Sequence, residues 1–328
     1  MARRWSWDFE DEPKPRVPAP ARQPAAATGG PGPVDPPGDG GAGARAVRVR
    51  RRRAGALFAA LVLVVVIVAV ASGSHGGHRT AAGGTHARTH VAAKAVSDPE
   101  KDQLGAVQSV LAYTPFVKEG GAKNRDVALT FDDGPGPYTP QVLAVLERFH
   151  VKATFFVIGK MLRYFSAAAV REIEDGDVIG DHTESHPMLA HLSAHDQYEE
   201  LFEQIARVEL LGAPRPTLFR PPYGSFNATT LRELSRLHLL MTLWSVDTDD
   251  YRQPGVSVIV QRALEGAHPG DIILMHDAGG LRTQTIEALP LVIKGLRAKG
   301  YDLVTVPKLL LDDPPPAGQP IPPNLSGD

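Results

Sequence analysis

The chain has 328 residues, 43% of them hydrophobic, with 35 Lys and Arg against 37 Asp and Glu for a formal charge of -2. That balance is uneven: residues 1–53 hold 11 basic and 6 acidic side chains, which leaves the remainder at -7, and a mildly acidic main body argues against nucleic acid as a partner. There is no cysteine, which excludes a disulfide framework, a thiolate metal site and a cysteine nucleophile, so any metal has to sit on His, Asp or Glu.

In chain order, residues 1–53 are rich in Pro, Gly, Ala and Arg, cannot bury enough apolar surface to offset the entropy of ordering, and are expected to form a disordered arm. Ala54 to Ala71 is an uncharged apolar run close to the length of a bilayer-crossing helix. Arg48 and Arg50 to Arg53 lie just before it, and a basic flank of that kind belongs on the cytoplasmic side. A single transmembrane anchor over 54–72, in contact with the lipid bilayer, is therefore expected, with the arm cytoplasmic and the rest of the chain extracytoplasmic. The alternative is secretion after cleavage near Ala71, since Ala69-Val70-Ala71 ahead of Ser72 fits the small-residue cleavage pattern. Residues 73–123, Gly-rich at first and carrying His75, His78, His86 and His90, are expected to be a linker. Residues 311–328 are expected to be a Pro-rich disordered tail.

Residues 124–310 change texture to short apolar runs alternating with amphipathic stretches, the pattern of repeated βα units. Strands are expected at Asp126–Phe131, Ala153–Ile158, Val178–His182, Thr217–Arg220, Leu239–Ser245, Asp271–His276 and Tyr301–Val306. Helices are expected at Thr139–Phe149, Met161–Glu174, Ala194–Leu211, Thr229–Leu237, Val256–Glu265 and Thr283–Ala298. The alternation fits a parallel α/β barrel or an open doubly wound sheet, and both build their sites on loops at the C-terminal strand ends.

Polar clusters occur at five of those ends. The first strand runs into Asp132-Asp133-Gly134-Pro135, a pattern that by itself is a turn signal. The third runs into His182-Thr183-Glu184-Ser185-His186-Pro187, where Pro187 favours a loop over a helix. The fourth ends in Arg220-Pro221-Pro222-Tyr223-Gly224, the fifth in Asp247-Thr248-Asp249-Asp250-Tyr251 and the sixth in Leu274-Met275-His276-Asp277. Any one of these could be a solvated loop; five in succession point to a site.

These five stretches, in this order, resemble the motifs of the polysaccharide deacetylases, the NodB-homology domain of carbohydrate esterase family four. The resemblance spans about residues 124–310 and is most specific in Thr130 to Pro135 and His182 to Pro187. It implies a distorted (β/α)7 barrel, and Asp133, His182 and His186 as ligands of one divalent metal, most simply Zn2+, with Co2+, Mn2+, Ni2+ or Fe2+ as other candidates. It also implies Asp132 as general base, Arg220 orienting it, the Tyr223 backbone N–H as oxyanion donor, and His276 paired with Asp250 as general acid. Pro222, Tyr251 and Leu274 would contact substrate, Leu274 lining an acetyl-methyl pocket. One departure is Asp250-Tyr251, where the family commonly has Asp-Trp; Tyr keeps an aromatic wall but is smaller and adds a hydroxyl.

The chemistry fits these residue types. Amide hydrolysis needs an activated nucleophile, a stabilised oxyanion and a proton for the leaving amine. Two imidazoles and one carboxylate can hold a divalent ion that meets the first two needs. A carboxylate beside His276 would favour the imidazolium that supplies the third. The resulting expectation is a monomeric N-deacetylase acting on an extracytoplasmic N-acetylated glycan. Peptidoglycan, at N-acetylglucosamine or N-acetylmuramic acid, is expected first and chitin-type oligosaccharides second. A non-haem iron oxygenase shares the two-His-one-carboxylate set but calls for neither the second Asp, the Arg nor the distant His. A catalytically silent glycan-binding module is the non-enzymatic alternative.

Overall fold

The computed structural model describes residues 98–320. The expected arm, the apolar run 54–71, the first part of the expected linker and the last eight residues lie outside the described residues. No helix among the described residues is long and apolar enough to cross a membrane.

The described chain opens with helix α1 (Asp98–Leu111) and strand β1 (Phe116–Val117), followed by β2 (Asp126–Asp132) and α2 (Thr139–Phe149). Next come β3 (Thr154–Val157), α3 (Gly159–Tyr164), α4 (Ser166–Asp175), β4 (Val178–Asp181), α5 (Ala194–Leu210), β5 (Leu218–Phe219), α6 (Ala228–Leu237) and β6 (Leu240–Thr242). The chain closes with β7 (Val246–Asp247), α7 (Val256–Glu265), β8 (Ile272–His276), α8 (Thr283–Ala298), β9 (Asp302–Val304) and α9 (Val306–Asp312). Strand order is β1-β6-β5-β4-β3-β2-β8-β7, with β9 pairing the start of β2, and every strand pair is parallel. β6 and β7 belong to one continuous stretch that leaves β5 and β1 and reaches β8, so the sheet curls back on itself. This curled parallel α/β half-barrel is consistent with the expected (β/α)7 architecture.

β2 shows how the strand pattern builds the layers. Its Val127, Leu129 and Phe131 pack outward with Val142, Leu143 and Leu146 of α2 and Leu289, Val292 and Ile293 of α8. Ala128 points the other way, into a cluster with Phe156, Leu218, Leu240 and Ile272. Thr130 and Asp132 follow it on the same face, because successive side chains alternate. Residues on both faces of β2 are buried, as a parallel sheet covered by helices requires.

Four expectations change. Residues 98–123 are folded rather than a spacer throughout: Val107 and Val110 of α1 join the inner cluster with Val306, Leu309 and Leu310 of α9, closing the end where the strands begin. Within the expected tail, Asp313 and Gln319 are buried; Asp313 accepts from Lys123 N–H at 2.5 Å and Gln319 bonds the backbone of Lys118 and Glu119 at 2.7 and 2.8 Å. The single helix expected over 161–174 is two, because Phe165 leaves helical geometry at φ -123°, ψ 34°. The strand expected over 239–245 ends at Thr242 and resumes as β7, the price of changing neighbours mid-course.

Candidate active site

Asp132 ends β2, in register with His276 at the end of β8 on one side and Phe156 of β3 on the other. The next residue, Asp133, has φ 74°, so the backbone turns sharply and the adjacent carboxylates serve different neighbours. Asp133 Oδ1 lies 3.1 Å from His186 Nε2 and 3.5 Å from His182 Nε2. Asp132 Oδ1 is held by Arg220 Nη1 at 2.7 Å, while its Oδ2 lies 3.8 Å from His182 Nε2.

His182 and His186 come from the loop after β4, and both are buried. Thr183 and His186 have φ 68° and 62°, and the loop is laced by Thr183 N–H to Asp181 Oδ1 at 2.7 Å and His186 N–H to Thr183 Oγ1 at 2.9 Å. The Arg220 carbonyl lies 2.7 Å from His182 Nδ1, so that nitrogen is the donor of the pair, and His182 Nε2 is the ring atom turned toward Asp133. Burial favours neutral His186 and lowers its pKa. Burial works against the Asp133 anion, yet His186 and His182 hold its carboxyl well below the usual range.

Asp133, His182 and His186 each offer one donor atom, all within 4.8 Å of one another. Bonds of about 2.0–2.2 Å to a tetrahedral ion put neighbouring donors about 3.3–3.6 Å apart. The 3.5 Å separation falls in that span and the 3.1 Å separation lies just short of it. Two neutral imidazole nitrogens and a carboxylate suit Zn2+, so the residues present fit such an ion.

Arg220 is completely buried and fully engaged. Besides Asp132, it donates to Thr130 Oγ1 at 2.8 Å, Thr242 O at 2.9 Å and Leu243 O at 3.0 Å, the last two where β6 breaks off. Its guanidinium also lies 4.1 Å from the centre of the Phe156 ring. Burial lowers its pKa while Asp132 opposes that change.

On the other side of Asp132, His276 Nδ1 lies 2.7 Å from Asp250 Oδ1, and Asp250 Oδ2 accepts from His276 N–H at 2.9 Å and Thr285 Oγ1 at 2.7 Å. Burial alone would lower the pKa of His276, but Asp250, with Asp133 and Asp132 adding to it, pushes it up to about 9. Burial opposes ionisation of Asp250 as well, yet His276, Thr285 and Arg282 hold its carboxyl below the usual value.

The expected substrate residues fall around these two constellations. Leu274 shares its face of β8 with His276 and is almost completely buried. Pro222 is buried at the start of a short 3-10 turn, and Tyr223 within that turn has φ 58°. The half-exposed Tyr223 ring stands edge-on to His186 at 4.6 Å, and the Tyr251 ring lies tilted 5.2 Å from His276.

Other participants are given no role by the resemblance. Thr130 precedes Asp132 by two positions on the same strand face, so alternation alone would have pointed to it. Thr285 comes from α8 and leaves no signal near Asp250. Asp277 is buried under the turn after Asp133, takes a hydrogen bond from Thr139 Oγ1, and is pushed by burial up to about 7.

A family model described as polysaccharide deacetylase matches residues 119–241. The chain is 38% identical over 184 residues to the peptidoglycan-N-acetylmuramic acid deacetylase PdaC of Bacillus subtilis, covering 56% of this chain and 38% of that protein, so it spans well under half of that relative's length. It is 37% identical over 187 residues to a peptidoglycan-N-acetylglucosamine deacetylase of Bacillus cereus, covering 56% of this chain and 87% of that one. Its fold is similar to the crystal structure of a CE4 family pseudoenzyme from Bacillus anthracis, with a TM-score of 0.57 and 29% identity over 60% of this chain and 69% of that one. With the relative from Bacillus cereus matched along most of its length, the chain belongs to the polysaccharide deacetylase family.

Proposed function

We propose that this chain is a metal-dependent N-deacetylase that hydrolyses the acetamido group of an extracytoplasmic glycan, with peptidoglycan the favoured substrate, and releases acetate. One observation carries the reading: Asp132 and His276 are register partners on adjacent strands, with a metal-type donor set beside the first and a carboxylate-backed imidazole on the second.

Asp133, His182 and His186 would hold the divalent ion, Zn2+ suiting them best. When bound, such an ion supplies Lewis-acid polarisation of the acetyl carbonyl and brings the pKa of water toward neutrality. Asp132 acts as the base, since Arg220 fixes Oδ1 and leaves Oδ2 turned toward the donor set. His276 acts as the acid that protonates the leaving amine, because a pKa of about 9 keeps it charged at neutral pH. The Tyr223 N–H is assigned to the developing oxyanion, its left-handed conformation supporting a specialised role for that peptide group. Leu274 is assigned to the acetyl methyl, and Pro222 and Tyr251 to the sugar.

The peptidoglycan assignment is supported by the names of the relatives and by the sequence-based expectation of an extracytoplasmic domain behind an apolar run at 54–71. The similarity to a pseudoenzyme makes a silent glycan-binding module the reading to be tested against it. Acetate release from purified peptidoglycan and from chitotetraose by zinc-replete protein decides between them. Release from either supports turnover, and preference for peptidoglycan supports the substrate. Binding without acetate release from both sinks the enzymatic reading.

A further inference from the structure

The loop between His182 and His186 is shaped by two non-glycine residues in the left-handed region, a conformation that persists only where surroundings impose it. Much of that imposition comes from α5. Glu200 Oε2 accepts from Ser185 N–H at 2.7 Å and Glu200 Oε1 accepts from Ser185 Oγ at 2.5 Å. The backbone carbonyl of Glu200 also accepts from Glu184 N–H at 2.8 Å. About two turns further along the helix, Arg207 Nε donates to Glu184 Oε2 at 2.6 Å, so one helix holds two consecutive loop residues.

We propose that Glu200 is a positioning residue for metal binding: by gripping Ser185 at both its N–H and its hydroxyl, it sets where His186 stands relative to His182 and Asp133. The inference rests on the metal reading above. Both grips are charge-assisted, the stronger class of hydrogen bond, and Ser185 is the residue immediately before His186. Without them, the left-handed turn at His186 loses a constraint and can relax toward ordinary geometry, which moves a donor away from the shared centre. Glu200 touches neither the donor atoms nor the dyad in any contact described above, so its effect should fall on metal affinity rather than on the chemistry of the loaded enzyme.

The test is the zinc dissociation constant, measured by competition with a chromophoric chelator, for wild type, Glu200→Ala, Glu200→Gln and Ser185→Ala. Supporting partners of metal ligands are worth about 10- to 100-fold in affinity, and Glu200→Ala should weaken zinc binding by that factor. Glu200→Gln, which keeps an acceptor for the Ser185 N–H, should lose less, and acetate release at saturating zinc should return to near the wild-type rate. A folded Glu200→Ala protein that binds zinc as tightly as wild type overturns the proposal. Wild-type protein that binds no zinc overturns the metal reading instead. Should Glu200→Ala fail to fold, Ser185→Ala removes the hydroxyl grip alone, and an unchanged affinity in that variant counts against the proposal.

Discussion

Asp250→Asn isolates what the carboxylate does for His276. In the wild type, the proximity of Asp250 outweighs burial and sets the His276 pKa at about 9. The substituted amide can still accept from the His276 backbone N–H but carries no charge, so the pKa should fall back toward about 6.5, the unperturbed value. At pH 8 the protonated fraction then drops from about 90% to about 3%, an ionisation loss of about 30-fold. At pH 6 the same arithmetic gives a loss of less than about 1.5-fold. Acetate release from a soluble acetylated oligomer, followed from pH 5.5 to 9.5 at saturating zinc, should therefore show a defect that grows with pH. A defect of equal size across that range would refute the assignment of Asp250 as the group that keeps His276 charged. The linked effect on folding has a definite sign. A raised folded-state pKa stabilises fully below the unfolded value and loses its contribution as pH rises through about 9. The shift corresponds to about 3 kcal/mol, so Asp250→Asn should be most destabilising at pH 6 and progressively less so toward pH 9.

Three further outcomes follow from the same geometry. Arg220→Met leaves buried Asp132 and the Thr242 and Leu243 carbonyls without their donor, and should cost about 3–5 kcal/mol in urea unfolding along with activity; a variant of wild-type stability would contradict the account of Arg220. A chain starting at residue 124 instead of 98 loses Val107 and Val110 from the inner cluster, about 1.5–3 kcal/mol for each. Its unfolding midpoint or soluble yield should fall sharply, and equal midpoints would show that α1 is dispensable. His186→Ala should bind less than one zinc per chain by elemental analysis, and chelator treatment of wild type should abolish acetate release until zinc is restored; release that survives chelation would exclude metal dependence.

Strand ends are easier to read than the supports behind them. The seven expected strands lie in sheet positions because short apolar runs closed by turn residues are local properties, and β2 ends at Asp132 because the Asp-Gly-Pro turn begins there. The clusters at Asp132, His182, Arg220 and His276 are visible for the same reason: each is a short polar run after an apolar one. Glu200 and Thr285 escape notice because their partners are distant in sequence, and a Glu on an amphipathic helix looks solvated until the loop across from it is known. Residues 98–117 are misjudged for a related reason. Apolar residues in α1 are sparse, and the value of Val107 and Val110 depends on α9, some two hundred positions later.

The packing of α1 against α9 brings the entry and the exit of the folded unit together at the end where the strands begin, with Tyr113 Oη bonded to Pro315 O at 2.7 Å. The Asp132 and His276 strand ends lie at the opposite edge. A unit wired this way is a cassette: other segments can be spliced to either terminus through one socket, without threading past the catalytic rim. Such portability accords with the presence of this module as less than two-fifths of the longer Bacillus subtilis relative.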